Sequence, residues 1–184
     1  DLPEGANVVV LRLRSLGDIV LTTPALSLLK QTRPDLRITV VLAESFRGLL
    51  DGNTDVSNEL IHEGSRLPAF STLRAIRKLN PALCLDLYGK TWTSRCTALS
   101  GARFRAGFAH VRESFAYSIK IPRAQGILGR VDDAPVHTAE HLASTMFHLG
   151  VPVSDVPPAK LHAEPQRRDR PYAVLHIAAL FATK

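Results

Sequence analysis

Cysteine is scarce in this chain: among 184 residues there are two, Cys84 and Cys96. Two cysteines build no disulfide framework, so a reducing compartment is the simple reading. Cys84 lies in the apolar run Ala82-Leu83-Cys84-Leu85 and is expected to be buried. Aromatic residues make up only 6%, which leaves Leu, Val, Ile and Ala to fill the core. No signal-peptide pattern opens the chain, and no apolar run reaches membrane-spanning length. The expectation is a cytoplasmic protein, with contact at a membrane surface left open. Basic residues form no stripe with interleaved aromatics, so nucleic acid is not an expected partner. Internal repeats and low-complexity segments are also missing.

What is present is an ordinary globular composition, 45% hydrophobic and 22% charged, enough for one large core. Lys plus Arg number 23 against 17 acidic residues, a net charge of +6. Such a surface attracts phosphates or anionic headgroups, or is merely a solvated face with modest excess charge. The sequence opens at Asp1 without Met and stops in mid-pattern at Thr183-Lys184. Both ends are expected to be limits set on a longer protein.

Short β-branched runs alternate with helical segments. Asn7 to Leu13, Leu36 to Leu42, Glu59 to His62, Leu83 to Leu87, Arg103 to Phe108 and Tyr117 to Ile121 read as strands. Ile19 to Gln31, Glu44 to Leu50, Pro68 to Leu79, Thr91 to Leu99 and Thr138 to Leu149 read as helices. Pro24 either opens the first helix at Thr23 or kinks one begun near Gly17; the earlier start is the favoured reading. The alternation predicts an α/β fold, a Rossmann-like parallel sheet with helices on both faces. Residues 1–152 form that domain. The Pro-rich, charged stretch 153–171 reads as a linker, and Tyr172 to His176 within 172–184 as the first strand of a second domain.

Ligands of such sheets bind at the carboxyl ends of the strands, so the turn Arg14-Ser15-Leu16-Gly17-Asp18 is the prime site. Gly17 permits a tight turn or close backbone approach to a ligand. Asp18 falls in the first turn of a helix, where an acid complements the macrodipole; on pattern alone capping is the stronger reading.

The segment LRLRSLGDIVLTTPALSLLK (Leu11 to Lys30) resembles the opening of the ADP-heptose:lipopolysaccharide heptosyltransferases, glycosyltransferase family nine. Five further blocks resemble that family in the same order. They are ITVVLAESFRGLLDGN (Ile38 to Asn53), LCLDLYG (Leu83 to Gly89), LSGARFRAGF (Leu99 to Phe108), HTAEHLASTMFHLGVP (His137 to Pro152) and YAVLHIAALFATK (Tyr172 to Lys184). The resemblance implies the N-terminal, acceptor-binding half of a two-domain GT-B enzyme. It implies ADP-heptose as donor and the lipopolysaccharide inner core, of Kdo-lipid A type, as acceptor, met at the cytoplasmic face of the inner membrane. It makes Asp18 the general base of an inverting transfer.

Arg14, Ser15, Gly17, Lys90, Thr91, Arg103 and Arg105 are then candidate acceptor contacts. Arg14 is preferred over Arg12, which lies within the strand. Arg103 and Arg105 weigh equally as exposed arginines beside an edge strand. Thr183 and Lys184 match the family's donor-phosphate element, although Ile177-Ala178 replaces its usual Pro-Gly. No cofactor or metal is expected. His137, Glu140 and His141 spell an inverted zinc-protease pattern, but no convincing third ligand follows. Asp51, Asn53 and Asp55 imitate a calcium loop that lacks its glycine. The alternative is a nucleotide- or dinucleotide-binding Rossmann module, with Glu44 as a ribose-binding acid; a single glycine in the first turn counts against it. A non-catalytic interaction domain is the third reading.

Overall fold

Six parallel strands in the order β3-β2-β1-β4-β5-β6 form the sheet of the computed structural model, which describes residues 1–64, 68–163, 170, 171 and 173. The strands are β1 (Asn7–Leu11), β2 (Arg37–Ala43), β3 (Asn58–His62), β4 (Leu83–Asp86), β5 (Phe104–Phe108) and β6 (Ile119–Ile121). Side chains alternate across the sheet, so both faces are covered by apolar residues. Val8 and Val10 join Ile38, Val40, Leu83 and Leu85 in a core closed by α2 (Thr23–Thr32) and α6 (Thr138–His148). Val9, Leu11, Val41 and Cys84 face the other way, against Ile76 of α3 (Pro68–Lys78) and Cys96 of α4 (Thr91–Leu99). This two-sided burial is why the strands read as continuous apolar runs. Both cysteines are free and buried.

The stretch after β1 is two helices, α1 (Leu16–Val20) and α2, where one kinked helix was expected. Pro24 has no N–H, which leaves the carbonyl of Val20 free, and Thr22 N bonds Ile19 O rather than Asp18 O, so both carbonyls lose their ladder partner. The Thr23 hydroxyl donates to Val20 O at 2.7 Å and the Thr22 hydroxyl to Asp18 O at 2.7 Å. Glu44–Phe46 is a 3₁₀ turn where a helix to Leu50 was expected, and a short helix α5 (Ala124–Ile127) was not foreseen. Residues 151–163 carry no helix or strand. They return along the domain, where Lys160 N donates to Thr23 Oγ1 and Lys160 Nζ pairs with Asp55. The strand expected at Tyr172 to His176 lies outside the described residues. Among the described residues no helix is long and apolar enough to cross a membrane.

From β1 the chain moves one way to β2 and β3; from β4 it moves the other way to β5 and β6. The switch point therefore lies between β1 and β4, and sheets of this kind take their ligands in the crevice beside the loops that follow those two strands.

Candidate functional site

Beyond Leu11 the backbone stays extended for two residues, with Arg12 N bonded to Val41 O at 3.1 Å, and then turns into α1 through Ser15. Asp18 is the third residue of α1, within its first turn. Its Oδ2 accepts from Ser15 N at 3.4 Å and Ser15 Oγ at 3.2 Å, and meets Arg12 Nη2 at 3.1 Å. Among the described residues nothing bonds Oδ1. The side chain is 42% exposed. Capping and a free carboxylate oxygen thus coexist in one residue. Gly17 lies within α1 without a left-handed backbone, and a Cβ there would meet nothing within 4 Å. Neither turn geometry nor packing demands glycine, and the position faces open space.

Arg12 was set aside in the sequence because it continues the strand. Its side chain nevertheless reaches the site. Nη1 donates to Leu87 O, just past β4, so one guanidinium ties the loops on both sides of the switch point. The side chain is 12% exposed, and Nε is buried without a partner among the described residues. Burial lowers its pKa, opposed by the charge of Asp18.

Asp86 closes β4 and was not singled out in the sequence. It is fully buried, and it accepts from Tyr88 N at 3.0 Å, Gly89 N at 2.8 Å, Tyr117 Oη at 2.8 Å and Ser94 Oγ at 3.4 Å. Burial raises its pKa, against the pull of those donors. The carboxylate fixes the loop that carries Lys90 and Thr91 to the crevice edge. Tyr117 reaches it only because position 107 is glycine: a Cβ on Gly107 would lie 2.3 Å from the tyrosine ring. An acid at the end of an apolar run was the signal available in LCLD.

Arg14, Ser15, Lys90 and Thr91 are exposed and share the carboxyl edge with Asp18. Thr91 Oγ1 donates to Glu113 Oε1 at 2.9 Å. Arg103 and Arg105 do not join them. Phe104 pairs with Leu83 and Leu83 with Val8, which puts Arg103 level with Asn7 at the amino edge. That is about 13 Å below the end of β1, at roughly 3.3 Å per residue. A residue preceding a strand of a parallel sheet always lies on the edge opposite the ligand crevice. Arg103 stacks over Phe104, and Arg105 Nε donates to Ala116 O at 3.1 Å.

On the α6 side of the same edge lies a recess of about 340 Å³. It is lined by His110, Arg123, Gln125 and His141, among others. Phe108 stacks against both imidazoles, with centroids 5.5 Å from His110 and 4.8 Å from His141. The His141 pKa is lowered by burial first, then by His110 and Arg12. His110 and Arg123 carried no signal in the sequence. Glu140 is occupied by Arg130 at 2.6 Å and by His137 N at 3.2 Å, and among the described residues no three His, Cys, Asp or Glu side chains converge. Glu44 is paired with Arg47 at 2.7 Å, which lowers its pKa. Thr183 and Lys184 lie outside the described residues.

The sequence matches no family model and no curated protein. The fold is similar to solved structures. One is the glycosyl transferase family 9 from Veillonella parvula DSM 2008, with TM-score 0.68 and 24% identity over 88% of this chain and 45% of that one. The E. coli heptosyltransferase WaaC with ADP-2-deoxy-2-fluoro heptose gives TM-score 0.65 and 18% identity over 82% of this chain and 51% of that one. The E. coli ADP-heptose lps heptosyltransferase II gives 0.66 and 15% over 86% and 47%. At these identities the likeness is one of fold, a Rossmann-like half of the GT-B kind. The chain spans about half the length of those proteins.

Proposed function

We propose that this chain is the acceptor-side half of an inverting glycosyltransferase of family nine, with Asp18 as general base. The carrying observation is a carboxylate at the switch point, bonded through one oxygen and, among the described residues, unbonded at the other. In this reading an acceptor hydroxyl donates its proton to Oδ1 as its oxygen attacks the anomeric carbon. The bond to the nucleoside diphosphate breaks on the opposite face, and the configuration inverts. A base in place contributes a factor on the order of 100 to 10,000. The similar structures bound to ADP and to an ADP-heptose analogue support ADP-heptose as donor, held by the half that follows this chain. Lys184 would face its phosphates there. An acceptor of the lipopolysaccharide inner core carries acidic groups, and the recess offers them the Arg123 guanidinium, with the imidazoles of His110 and His141 beside it as hydrogen-bond partners. Such an acceptor places the enzyme at the cytoplasmic face of a membrane.

The dinucleotide-binding alternative shares the strand order, but it would set a pyrophosphate where Asp18 presents negative charge. The test uses the full-length protein, with ADP release from ADP-heptose measured in the presence of a Kdo-lipid A acceptor. Asp18→Asn should bind donor normally and transfer at least 100-fold more slowly, within the range for a lost base. Transfer by Asp18→Asn at the unmodified rate, or tight NAD binding, sinks the reading.

A further inference from the structure

We infer that Arg12 is the positioning residue of this site: it grips Asp18 by Oδ2 alone and so presents Oδ1 to the acceptor hydroxyl. The inference rests on the reading of Asp18 as base. Three donors converge on one carboxylate oxygen, and Arg12 supplies the only charged one of them. The two partners are unequally held. The arginine side chain is 12% exposed and anchored to Leu87 O, whereas the aspartate is 42% exposed. The anchored guanidinium therefore sets the orientation, and the carboxylate follows it.

Packing alone gives no reason for arginine here. Its Nε is buried with no partner among the described residues, a polar group taken out of water without compensation. A methionine would fill the same space without that penalty. A lysine could not serve both contacts, because it offers a single compact ammonium where the fork reaches two acceptors at fixed spacing. The fork also spans the switch point, joining the loop after β1 to the loop after β4. Asp18 is thereby registered against the loop that carries Lys90 and Thr91.

The experiment compares Arg12→Met, Arg12→Lys, Asp18→Asn and the double variant Arg12→Met/Asp18→Asn in the full-length protein. Readouts are kcat, KM for donor and acceptor, and Tm. Misplacement of the base by about 1 Å costs roughly 100-fold, so Arg12→Met should lose about that factor in kcat. Donor KM should stay within about threefold, and Tm should fall only modestly: Leu87 O loses its donor, but the unpartnered Nε is removed and a solvated Asp18 is not stranded. Arg12→Lys should fall between Arg12→Met and the unmodified enzyme. The double variant should be no slower than Asp18→Asn, since a positioned group that is gone cannot be mispositioned. Unaltered kcat in Arg12→Met or in Arg12→Lys overturns the proposal. So does a double variant far slower than Asp18→Asn. If Arg12→Met does not fold, the lysine variant alone decides. Should Asp18→Asn itself transfer normally, it is the reading of the base that fails, and the two failures are separable.

Discussion

Asp86 offers the sharpest test of the energetics around the crevice. Its carboxyl is fully buried, and burial outweighs the hydrogen bonds in raising its pKa. An acid whose pKa is higher in the folded state than in the unfolded one stabilises the fold most at low pH. That stability is lost as pH rises through the raised value. Replacing the carboxylate by an amide removes the dependence. In Asp86→Asn the remaining Oδ1 can still accept from Tyr88 N and Gly89 N, while Nδ2 can donate to the hydroxyls of Tyr117 and Ser94. The variant should therefore gain on the unmodified protein as pH rises from the ordinary aspartate value of about 4 through the raised one. Each unit of upward shift is worth about 1.4 kcal/mol, or roughly 3–6 °C in a domain of this size. Asp86→Ala differs, because it leaves two backbone N–H groups and two hydroxyls without their acceptor. A loss of about 3 kcal/mol, roughly 6–12 °C, is expected at all pH values. Calorimetric melts of both variants across that pH range measure the two effects. A relative Tm of Asp86→Asn that falls with rising pH refutes the claim that burial dominates.

The thiols of Cys84 and Cys96 are pushed up to about 12 and about 11 by burial. Their reaction with a disulfide reagent near pH 8 should be slow in the folded protein and should track unfolding in urea; rapid native labelling of both contradicts the packing. His141 has its pKa lowered in the folded state, so the stability it contributes is present above the ordinary histidine range and declines as pH falls below it. In His141→Gln the acid limb of the Tm–pH curve should flatten, and an unaltered limb assigns that limb to other groups.

The sheet was legible because its central strands β1 and β2 are apolar runs rich in β-branched residues, and the longer helices because they repeat their apolar residues with helical spacing. Strand runs of this kind say nothing about neighbours, so the order that sets the switch point between β1 and β4 needed the coordinates. The break at Leu21–Thr22 was half-legible: Pro24 announced it, but whether the ladder bends or ends depends on the Thr22 and Thr23 hydroxyls meeting the freed carbonyls. Asp18 carried two meanings in the sequence. Its geometry is compatible with both, with Oδ2 in the cap and Oδ1 without a partner among the described residues. Arg12 was obscured by a rule that treats strand residues as structural, although it lies one residue past the end of β1, where a side chain can turn toward the carboxyl edge. The placement of Arg103 was available from direction alone, since it precedes its strand. His110 and Arg123 sit in unremarkable loops, and only the sheet's closure against α6 gathers them with His141.

The hydroxyl of Thr23 answers two parts of the chain at once. It donates to Val20 O at the helix break and accepts from Lys160 N on the returning segment, 137 positions later. Tension on that segment would be delivered through Thr23 and Asp55, and the Thr23 branch ends on the last residue of α1. A polypeptide that leaves the domain by this route carries a tether whose far end registers at the short helix bearing Asp18.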